Sequence, residues 1–268
     1  MREFDLYIVP TPIGNLGDIT QRALDVLSFV DIIACEDIRV TQKLLNHFNI
    51  GTKCVSYHKF NEKERLEMFT RMIEEGEKIA LVSDAGTPLF CDPGAVLVKD
   101  LREKGYKITS LPGANAVATF LSQVAREGED FVFAGFLPRT KSQIEELLDR
   151  YKFTDLVFYD SPNRIMNTLE IINEHNPSYR VAIGRELTKV FEEIKEGSVE
   201  EVLEHFKNNI VKGEIVGIVF RNNTACENID IENKIQILKK KNYSVKDISV
   251  ILSSLYDVSK NEVYKKAN

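Results

Sequence analysis

Short apolar runs rich in β-branched residues alternate along the chain with amphipathic segments. The runs predict strands and the segments predict helices, because hydrophobic periods of two and 3.6 residues are typical of these elements. Alternation at this spacing predicts an α/β protein with largely parallel strands in two successive sheets. The strand candidates are LYIV, DIIAC, KCVSY, KIALVS, YKITSL, FVFAGF, DLVFY, RVAIG and EIVGIVF. The clearest helix candidates span residues 20–30, 61–75, 93–104, 142–150 and 198–207.

The same pattern divides the chain into three parts. A charged break that contains a glycine, AREGED at 125–130, separates the two predicted sheets, and after residue 222 only helical patterns remain. We therefore predict an N-terminal α/β domain over residues 1–126, a C-terminal α/β domain over 127–225 and a small helical module over 226–268. Apolar positions at helical spacing predict a shared core for the module. These positions are Ile235, Leu238, Ile248, Ile251, Leu252 and Leu255.

Composition narrows the functional classes. Hydrophobic residues make up 43% and charged residues 28% of the chain, which is typical of a soluble globular protein. No apolar run reaches the roughly 18 residues that span a bilayer, and the N-terminus does not resemble a signal peptide, so we expect a cytoplasmic protein without membrane contact. The cysteines form no C-x-x-C pair and the histidines are scattered, so we expect no metal site. The cysteines are Cys35, Cys54, Cys91 and Cys226.

The net charge of −6 is unevenly distributed. Residues 234–268 contain eight lysines and three acidic residues, a balance of +5, so the preceding 233 residues carry −11. This basic tail is the first place to look for a phosphate-rich partner, and Lys239, Lys240 and Lys241 are its densest run. The alternative is a solvated helix surface without a partner.

Glycine-rich or charged loops follow most of the predicted strands. In open α/β sheets ligands bind at the carboxyl ends of the strands, so these loops predict a common site. Each motif also has a purely structural explanation. DAGTP could be a turn and SPNR a helix start. Glu36, Asp37 and Arg39 could form a helix cap with an ion pair, and Arg185 with Glu186 a surface pair. The loops are TPIGNLGD, EDIRVT, DAGTPLFCDPG, LPGANA, GFLPR, DSPNR and GRELTK.

The order of these motifs resembles that of a known family. TPIGNLGDIT, LVSDAGTPL, GFLPR, SP-R and RELTK-FEE follow one another as in the ribosomal RNA small subunit methyltransferase I family of the tetrapyrrole methylase superfamily. The resemblance covers about residues 6–220, although Ala114 and Asn115 stand where the family usually has Pro and Ser. It implies two α/β domains with S-adenosylmethionine in the cleft between them, and a homodimer. It also implies 2′-O-methylation of a cytidine ribose in the decoding region of 16S RNA in the small ribosomal subunit.

The resemblance further implies where the cofactor binds. DAGTP and LPGANA would hold its methionine end, and Tyr159, Leu187 and residues 213–215 would surround its adenosine. Gly14 and Gly17 would leave room for the RNA. The implied cofactor-binding residues are Pro12, Asp84, Ala85, Gly86, Thr87, Leu89, Ala114, Asn115, Tyr159, Leu187, Gly213, Glu214 and Ile215.

The chemistry of methyl transfer suits these residue types. A sulfonium donor needs no metal, and alignment of the reactants provides much of the rate. A ribose hydroxyl is a weak nucleophile, so we expect a base nearby, or a cation that stabilises the developing alkoxide. We predict Glu36, Asp37 and Asp84 as the catalytic carboxylates, and the sequence does not choose among them. The predicted RNA-binding cations are Arg39, Arg139, Arg164, Arg185, Lys189, Lys239, Lys240 and Lys241.

Two other functions stay open on the sequence. A methyltransferase for a precorrin or uroporphyrinogen-type tetrapyrrole would share the fold and the cofactor, but it would not need the arginine-bearing loops or the lysine-rich tail. A non-catalytic RNA-binding assembly factor would not need the acidic and glycine-rich loops. Both alternatives predict a different result when methyl transfer to small ribosomal subunits is measured.

Overall fold

The computed structural model describes residues 4–208, 212–221, 231–256 and 258–267. The first half of the chain forms a parallel sheet. Its strands are β1 (Leu6–Ile8), β2 (Ile32–Cys35), β3 (Lys53–Ser56), β4 (Ile79–Val82) and β5 (Ile108–Ser110). Its helices are α1 (Gln21–Phe29), α2 (Ile38–His47), α3 (Glu62–Glu74), α4 (Ala95–Glu103) and α5 (Ala116–Leu121). The strand order is β3-β2-β4-β1-β5, and every pairing is parallel. The loops after all five strands therefore meet at one edge of the sheet.

The second half forms a mixed sheet. Its strands are β6 (Phe131–Phe136), β7 (Asp155–Asp160), β8 (Arg180–Arg185), β9 (Glu193–Ser198) and β10 (Ile215–Val219). Its helices are α6 (Lys141–Arg150), α7 (Ile165–His175) and α8 (Val199–Lys207). The strand order is β6-β7-β10-β8-β9. The two-sheet α/β architecture is confirmed, but the prediction of a largely parallel second sheet is wrong. Strands β6 and β7 are parallel, whereas β10 is antiparallel to β7 and β8, and β9 is antiparallel to β8.

Strand β9 explains part of this difference. Its sequence, EIKEGS, is mostly polar and forms an edge strand, so hydrophobicity did not predict it. The loop at 186–192 is too short for the crossover that a parallel pair requires, so β8 and β9 form an antiparallel hairpin. Strands β7 and β8 nevertheless run in the same direction, because both are antiparallel to β10 between them. Their carboxyl ends and the start of β10 share one edge.

Helix α5 connects the two halves. It follows β5 in sequence, yet Val117 and Phe120 are buried together with Val157 and Val216 of the second sheet. Packing of this helix fixes the first half against the second near the strand edges just described. The predicted domain division at 126/127 stays a prediction, and the division at 225/226 lies outside the described residues, as does Cys226.

Within residues 231–256 and 258–267, the structure shows three helices in the predicted module. They are α9 (Ile231–Lys240), α10 (Val245–Leu255) and α11 (Lys260–Ala267). Ile235, Ile248 and Leu252 are buried in its core as predicted, and Leu238 packs beside them. The prediction is wrong for Leu255, which is 68% exposed because it lies at the last position of α10. Ile251 is half-buried and lies outside this core.

Local capping sets where several helices begin. Thr20 accepts a hydrogen bond from the Ala23 amide and starts α1. Ser198 caps α8 through a reciprocal pair with Glu201, so the last residue of β9 also starts the next helix. Within the described ranges, none of the helices has both the length and the apolar character needed to cross a membrane.

Candidate active site

A cavity of about 370 Å³ lies where the strand edges of the two halves meet. This volume is within the roughly 300–1,000 Å³ of ligand pockets. The predicted cofactor residues that line it are Asp84, Ala85, Gly86, Thr87, Asn115, Tyr159, Leu187, Gly213, Glu214 and Ile215. Residues that line it without having been predicted are Ile13, Phe90, Cys91, Asp92, Ala116, Phe136, Asp160, Ser161, Pro162 and Val216.

Three predicted cofactor residues stand behind this surface. Pro12 is half-buried next to Ile13. Leu89 packs against the core of the first half. The Ala114 carbonyl accepts a hydrogen bond of 2.9 Å from the Thr87 hydroxyl, which ties the LPGANA loop to the DAGTP loop. A direct contact between these three residues and a cofactor stays a prediction.

The first loop is joined to DAGTP by backbone hydrogen bonds. Thr11 and Gly86 exchange two bonds of 2.9 Å each, and the Thr11 hydroxyl donates to the Ser83 carbonyl. Gly86 has φ +80°, a conformation that residues with a side chain rarely adopt. A Cβ there would also stand 3.3 Å from Ile13 Cγ2. Glycine at this position therefore keeps both the turn and the cavity wall.

The space beside Gly14 is filled by protein and not, as predicted, left open for RNA. A Cβ at Gly14 would lie 2.5 Å from Lys189 Cγ and 2.7 Å from the Leu187 carbonyl oxygen. The RELTK loop of the second half thus occupies the space that the sequence suggested for RNA. Gly14 permits this close contact between the halves, so the prediction for its space is corrected.

Carboxylates gather at the ends of β2 and β4. Burial, followed by the charge of Asp84, raises the pKa of Glu36. Burial raises the pKa of Asp84, while the hydrogen bond from the Asp37 amide lowers it and the Asp37 charge raises it less; Asp84 is the most exposed of the group, so water screens its charge. Asp92 is half-buried, and burial with the charges of Glu36 and Asp84 raises its pKa to about 6.

Asp92 is the functional candidate that the sequence analysis missed. It belongs to the quoted stretch DAGTPLFCDPG, ten residues after the end of β4, of which only the DAGTP part was assigned a role. Its proximity to Glu36 and Asp84 depends on how this long loop folds back. An acidic residue inside a long loop at a strand edge was the available signal.

Asp37 has a structural task. Its carboxylate caps α2 by accepting from the Arg39 amide, and it binds the Arg39 guanidinium at 2.6 and 3.1 Å. The hydrogen bonds from the Arg39 side chain lower the pKa of Asp37 to about 2. Its amide donates to Asp84. A carboxylate this acidic is a weak base near neutral pH, so Glu36, Asp84 and Asp92 are the stronger candidates.

The predicted cations of the cleft differ in their partners. Arg39 binds Asp37, and Arg185 binds Glu193 at 2.5 Å. Lys189 binds Glu186 at 2.8 Å and Glu214 at 3.3 Å. The side chain of Arg164 donates to the carbonyls of Leu137 and Pro138 at 3.0 and 2.6 Å.

Arg139 differs from these four residues. It is exposed, and its side chain has no hydrogen bond or ion pair with any residue that the structure describes. Lys239, Lys240 and Lys241 lie apart from the cleft residues in sequence, at the end of α9 and in the turn after it, and all three are exposed.

The lining of the cavity fits S-adenosylmethionine. Asp84, Asp92 and Glu214 give the cavity negative charge, which a positively charged sulfonium requires, and Tyr159 with Leu187 gives it apolar surface. Asn115, where the family usually has serine, is committed to α5, because its side chain accepts from the amides of Val117 and Ala118. Among the described residues, no three His, Cys, Asp or Glu side chains are grouped so that they could hold a metal ion.

Comparisons with known proteins agree with this geometry. Residues 5–203 match the family model of the tetrapyrrole (corrin/porphyrin) methylases. A ribosomal RNA small subunit methyltransferase I from Rickettsia prowazekii is 41% identical over 266 residues, which cover 97% of this chain and 94% of that protein. Its counterpart from Vibrio cholerae is 42% identical over 267 residues, covering 97% and 93%. The chain belongs to the ribosomal RNA small subunit methyltransferase I family.

Solved structures show the same fold at low identity. A cobalt precorrin-4 methyltransferase of cobalamin biosynthesis superposes with a TM-score of 0.59 at 16% identity, covering 80% of this chain and 94% of that one. At this identity the likeness concerns the fold and not the substrate. Methyltransferases of this family and fold use S-adenosylmethionine as the methyl donor.

Proposed function

We propose that this protein methylates the 2′-hydroxyl of a cytidine ribose in the decoding region of 16S ribosomal RNA, with S-adenosylmethionine as donor. The observation that carries the proposal is near full-length identity of about 40% with several proteins that share one name. The choice of cytidine and of the ribose hydroxyl rests on the resemblance of the motifs. With such a substrate, the protein would act in the cytoplasm.

The cleft has groups that suit this reaction. The cofactor, when bound, supplies a methyl group activated by a positively charged sulfur. The hydroxyl proton of the ribose needs an acceptor, and an ionised carboxylate with a pKa near 6 combines the right charge state with useful basicity at neutral pH. Asp92 meets this condition, with Glu36 and Asp84 beside it. We therefore add Asp92 to the proposed catalytic carboxylates and rank Asp37 last.

The cofactor contacts form part of the same proposal. The backbone of residues 84–87 and the LPGANA loop would hold the methionine end, while Tyr159, Leu187 and Ile215 would contact the adenosine. The connected loops around Thr11 and Gly86 would orient the donor, and alignment of this kind contributes much of the rate in displacement reactions.

One assay separates the proposed function from its alternatives. Small ribosomal subunits from a bacterium that lacks this family's gene, and a uroporphyrinogen-type tetrapyrrole, are each incubated with the protein and methyl-labelled S-adenosylmethionine. We expect label in 16S RNA and none in the tetrapyrrole. Label in the tetrapyrrole alone would replace the proposal by the first alternative. Binding of subunits without transfer would favour the assembly factor.

The resemblance also leads us to propose a homodimer. Light scattering at micromolar concentration should give twice the mass of one chain. A mass equal to one chain under these conditions would contradict this part of the proposal.

A further inference from the structure

An exposed aromatic ring stands in the wall of the cavity. Phe136, the last residue of β6, lines the cavity and is 62% exposed. Its ring centroid is 5.5 Å from that of Tyr159 at an interplanar angle of 59°. Tyr159 in turn contacts Phe133 edge to face, at 5.0 Å. An open aromatic ring inside a ligand cleft offers apolar surface that a ligand can cover.

A β-bulge places Phe136 on this face. Phe133 pairs with Val157 and Phe136 with Tyr159, so β6 uses three steps where β7 uses two. Because side chains alternate along a strand, three regular steps would turn Phe136 to the opposite face of the sheet from Phe133. The extra residue, together with Gly135 at φ +67°, puts both rings on the face of Tyr159. Bulges next to active sites redirect side chains in this manner.

The residues after Phe136 are held by a network under the loop. Arg164 donates to the carbonyls of Leu137 and Pro138. Arg164 is also paired with the buried carboxylate of Asp160, at 3.4 Å. Asp160 accepts a further bond of 2.6 Å from the Thr168 hydroxyl. The segment between Phe136 and Arg139 is therefore fixed, and the charge of Arg164 is paired with Asp160 inside the protein.

Arg139 completes the arrangement. It lies three residues after Phe136 on the same fixed loop, and it has no partner among the described residues. An unpaired guanidinium suits a phosphate, and an open aromatic face suits a nucleobase. Proteins recognise unpaired RNA strands by this combination of stacking and phosphate contacts.

We propose that Phe136 stacks on an unpaired nucleobase of the RNA substrate and that Arg139 binds a phosphate of the same strand. This inference rests on the proposed function, because it names the substrate contacts of that site. It assigns to Phe136 a role that the motifs did not suggest, and it separates Arg139, which touches the RNA, from Arg164, which holds the loop. Tyr159 lies behind Phe136 and supports its ring.

The test uses the full chain and small ribosomal subunits that lack the methylation. Phe136→Ala and Phe136→Leu should each raise the KM for subunits about tenfold, as expected for the loss of one stacked base. Phe136→Trp should stay near the wild-type KM, because a planar ring is kept. The Kd for S-adenosylmethionine, measured by calorimetry, should be unchanged in all three variants.

Two further variants sharpen this test. Phe153→Ala removes a ring that is 54% exposed just before β7, at the opposite edge of the same sheet, and its KM should equal that of wild type. Arg139→Gln should weaken subunit binding and reduce its salt slope by somewhat under one unit, as the loss of a single phosphate contact does.

The outcomes are distinct. A wild-type KM in Phe136→Leu would show that an apolar side chain suffices at this position without an aromatic ring, and it would overturn the stacking proposal. A loss of donor affinity equal to the rise in KM would assign the ring to the cofactor and overturn it as well. An unchanged salt slope in Arg139→Gln would show that Arg139 contacts no phosphate, and it would overturn that part of the proposal. If wild type itself leaves the subunits unmethylated, the proposed function fails and this inference fails with it.

Discussion

The two halves of the molecule bring different chemistry to the same cavity. The parallel first sheet contributes the carboxylates of Asp84 and Asp92, with Glu36 close enough to affect the pKa of Asp92, together with tight loops such as the one at Gly86. The mixed second sheet contributes the Phe136 ring, and Arg139 lies beside it on the same loop. The proposed adenosine contacts also lie in the second half, so the two halves would share the donor, with the first adding a proton acceptor and the second adding contacts to the RNA. Changes at the carboxylates and Gly86 of the first half should alter the rate or donor binding, whereas changes at Phe136 and Arg139 of the second half should alter RNA affinity.

The largest expected effect is on catalysis and comes from the first half. Asp92→Asn removes the proposed proton acceptor but keeps the shape of the side chain, so kcat should fall at least about 100-fold while the KM for subunits changes little. The folded state already disfavours the charge of Asp92, since its pKa is raised, so the variant should unfold at no lower temperature than wild type. Thermal unfolding and steady-state kinetics measure the two quantities.

Asp25→Asn is the matched control for this change. Asp25 is an exposed carboxylate on α1 that is hydrogen-bonded to Gln21, and its loss should leave kcat unchanged. An Asp92→Asn variant that keeps wild-type kcat would show that the proton goes elsewhere. The assignment of the proton acceptor to the first half would then lose its main support.

The pH profile is the next largest effect. Asp92 must be ionised to accept a proton, and its pKa of about 6 means that the ionised form is lost as the pH falls through 6. The value of kcat should therefore drop about tenfold for each pH unit below 6. Glu36 and Asp84 raise this pKa, while a hydrogen bond from Ser83 opposes them. The residual activity of Asp92→Asn should lack this step, and the same step in both proteins would assign it to another group.

Donor binding should change by about tenfold at Gly86. Gly86→Val puts a branched side chain against the cavity wall at a position with φ +80°, so the Kd for S-adenosylmethionine should rise. Gly105→Val is a matched control, because Gly105 has φ +81° and its Cβ would meet nothing within 4 Å. Calorimetry on both folded variants separates backbone strain from ligand contact. Equal donor affinity in the two variants would leave DAGTP as a turn alone.

The smallest effect concerns the helical module. Lys239, Lys240 and Lys241 are exposed, so reversing their charge should raise the KM for subunits a few-fold and reduce its salt dependence, without changing donor affinity. Reversal of Lys53, Lys63 and Lys99, which are exposed in the first half, gives the same change in net charge as a control. Identical salt curves for the two triple variants would mean that the tail is solvated surface.

Much of the fold followed from hydrophobic pattern, and its failures have physical reasons. All five strands of the first sheet lie in predicted runs, with β2 and β4 fully buried and the edge strands β3 and β5 partly exposed. Strand β9 was missed because an edge strand buries little, so EIKEGS carries no apolar signal. Leu255 was assigned to the module core because helical periodicity does not show where a helix ends.

The sequence predicted which loops follow the strand ends and meet at the site, but not how the side chains of those loops are arranged. The order of motifs placed Asp84, Gly86 and Tyr159 correctly at one cavity. The pattern could not show that Arg164 donates to backbone carbonyls while Arg139 is open to solvent, since both residues end an arginine-bearing motif. It also gave no reason to single out Phe136, whose direction depends on a bulge of one residue.

Methylation of a ribose hydroxyl in small-subunit RNA can be tested by locating the transferred methyl group. Small subunits that lack the modification are methylated with labelled donor, and the 16S RNA is hydrolysed completely with alkali. A 2′-O-methyl group blocks cleavage of the next phosphodiester bond, so we expect the label to be recovered in one alkali-resistant dinucleotide that begins with cytidine. Label in a mononucleotide, which would place the methyl group on a base, would contradict it.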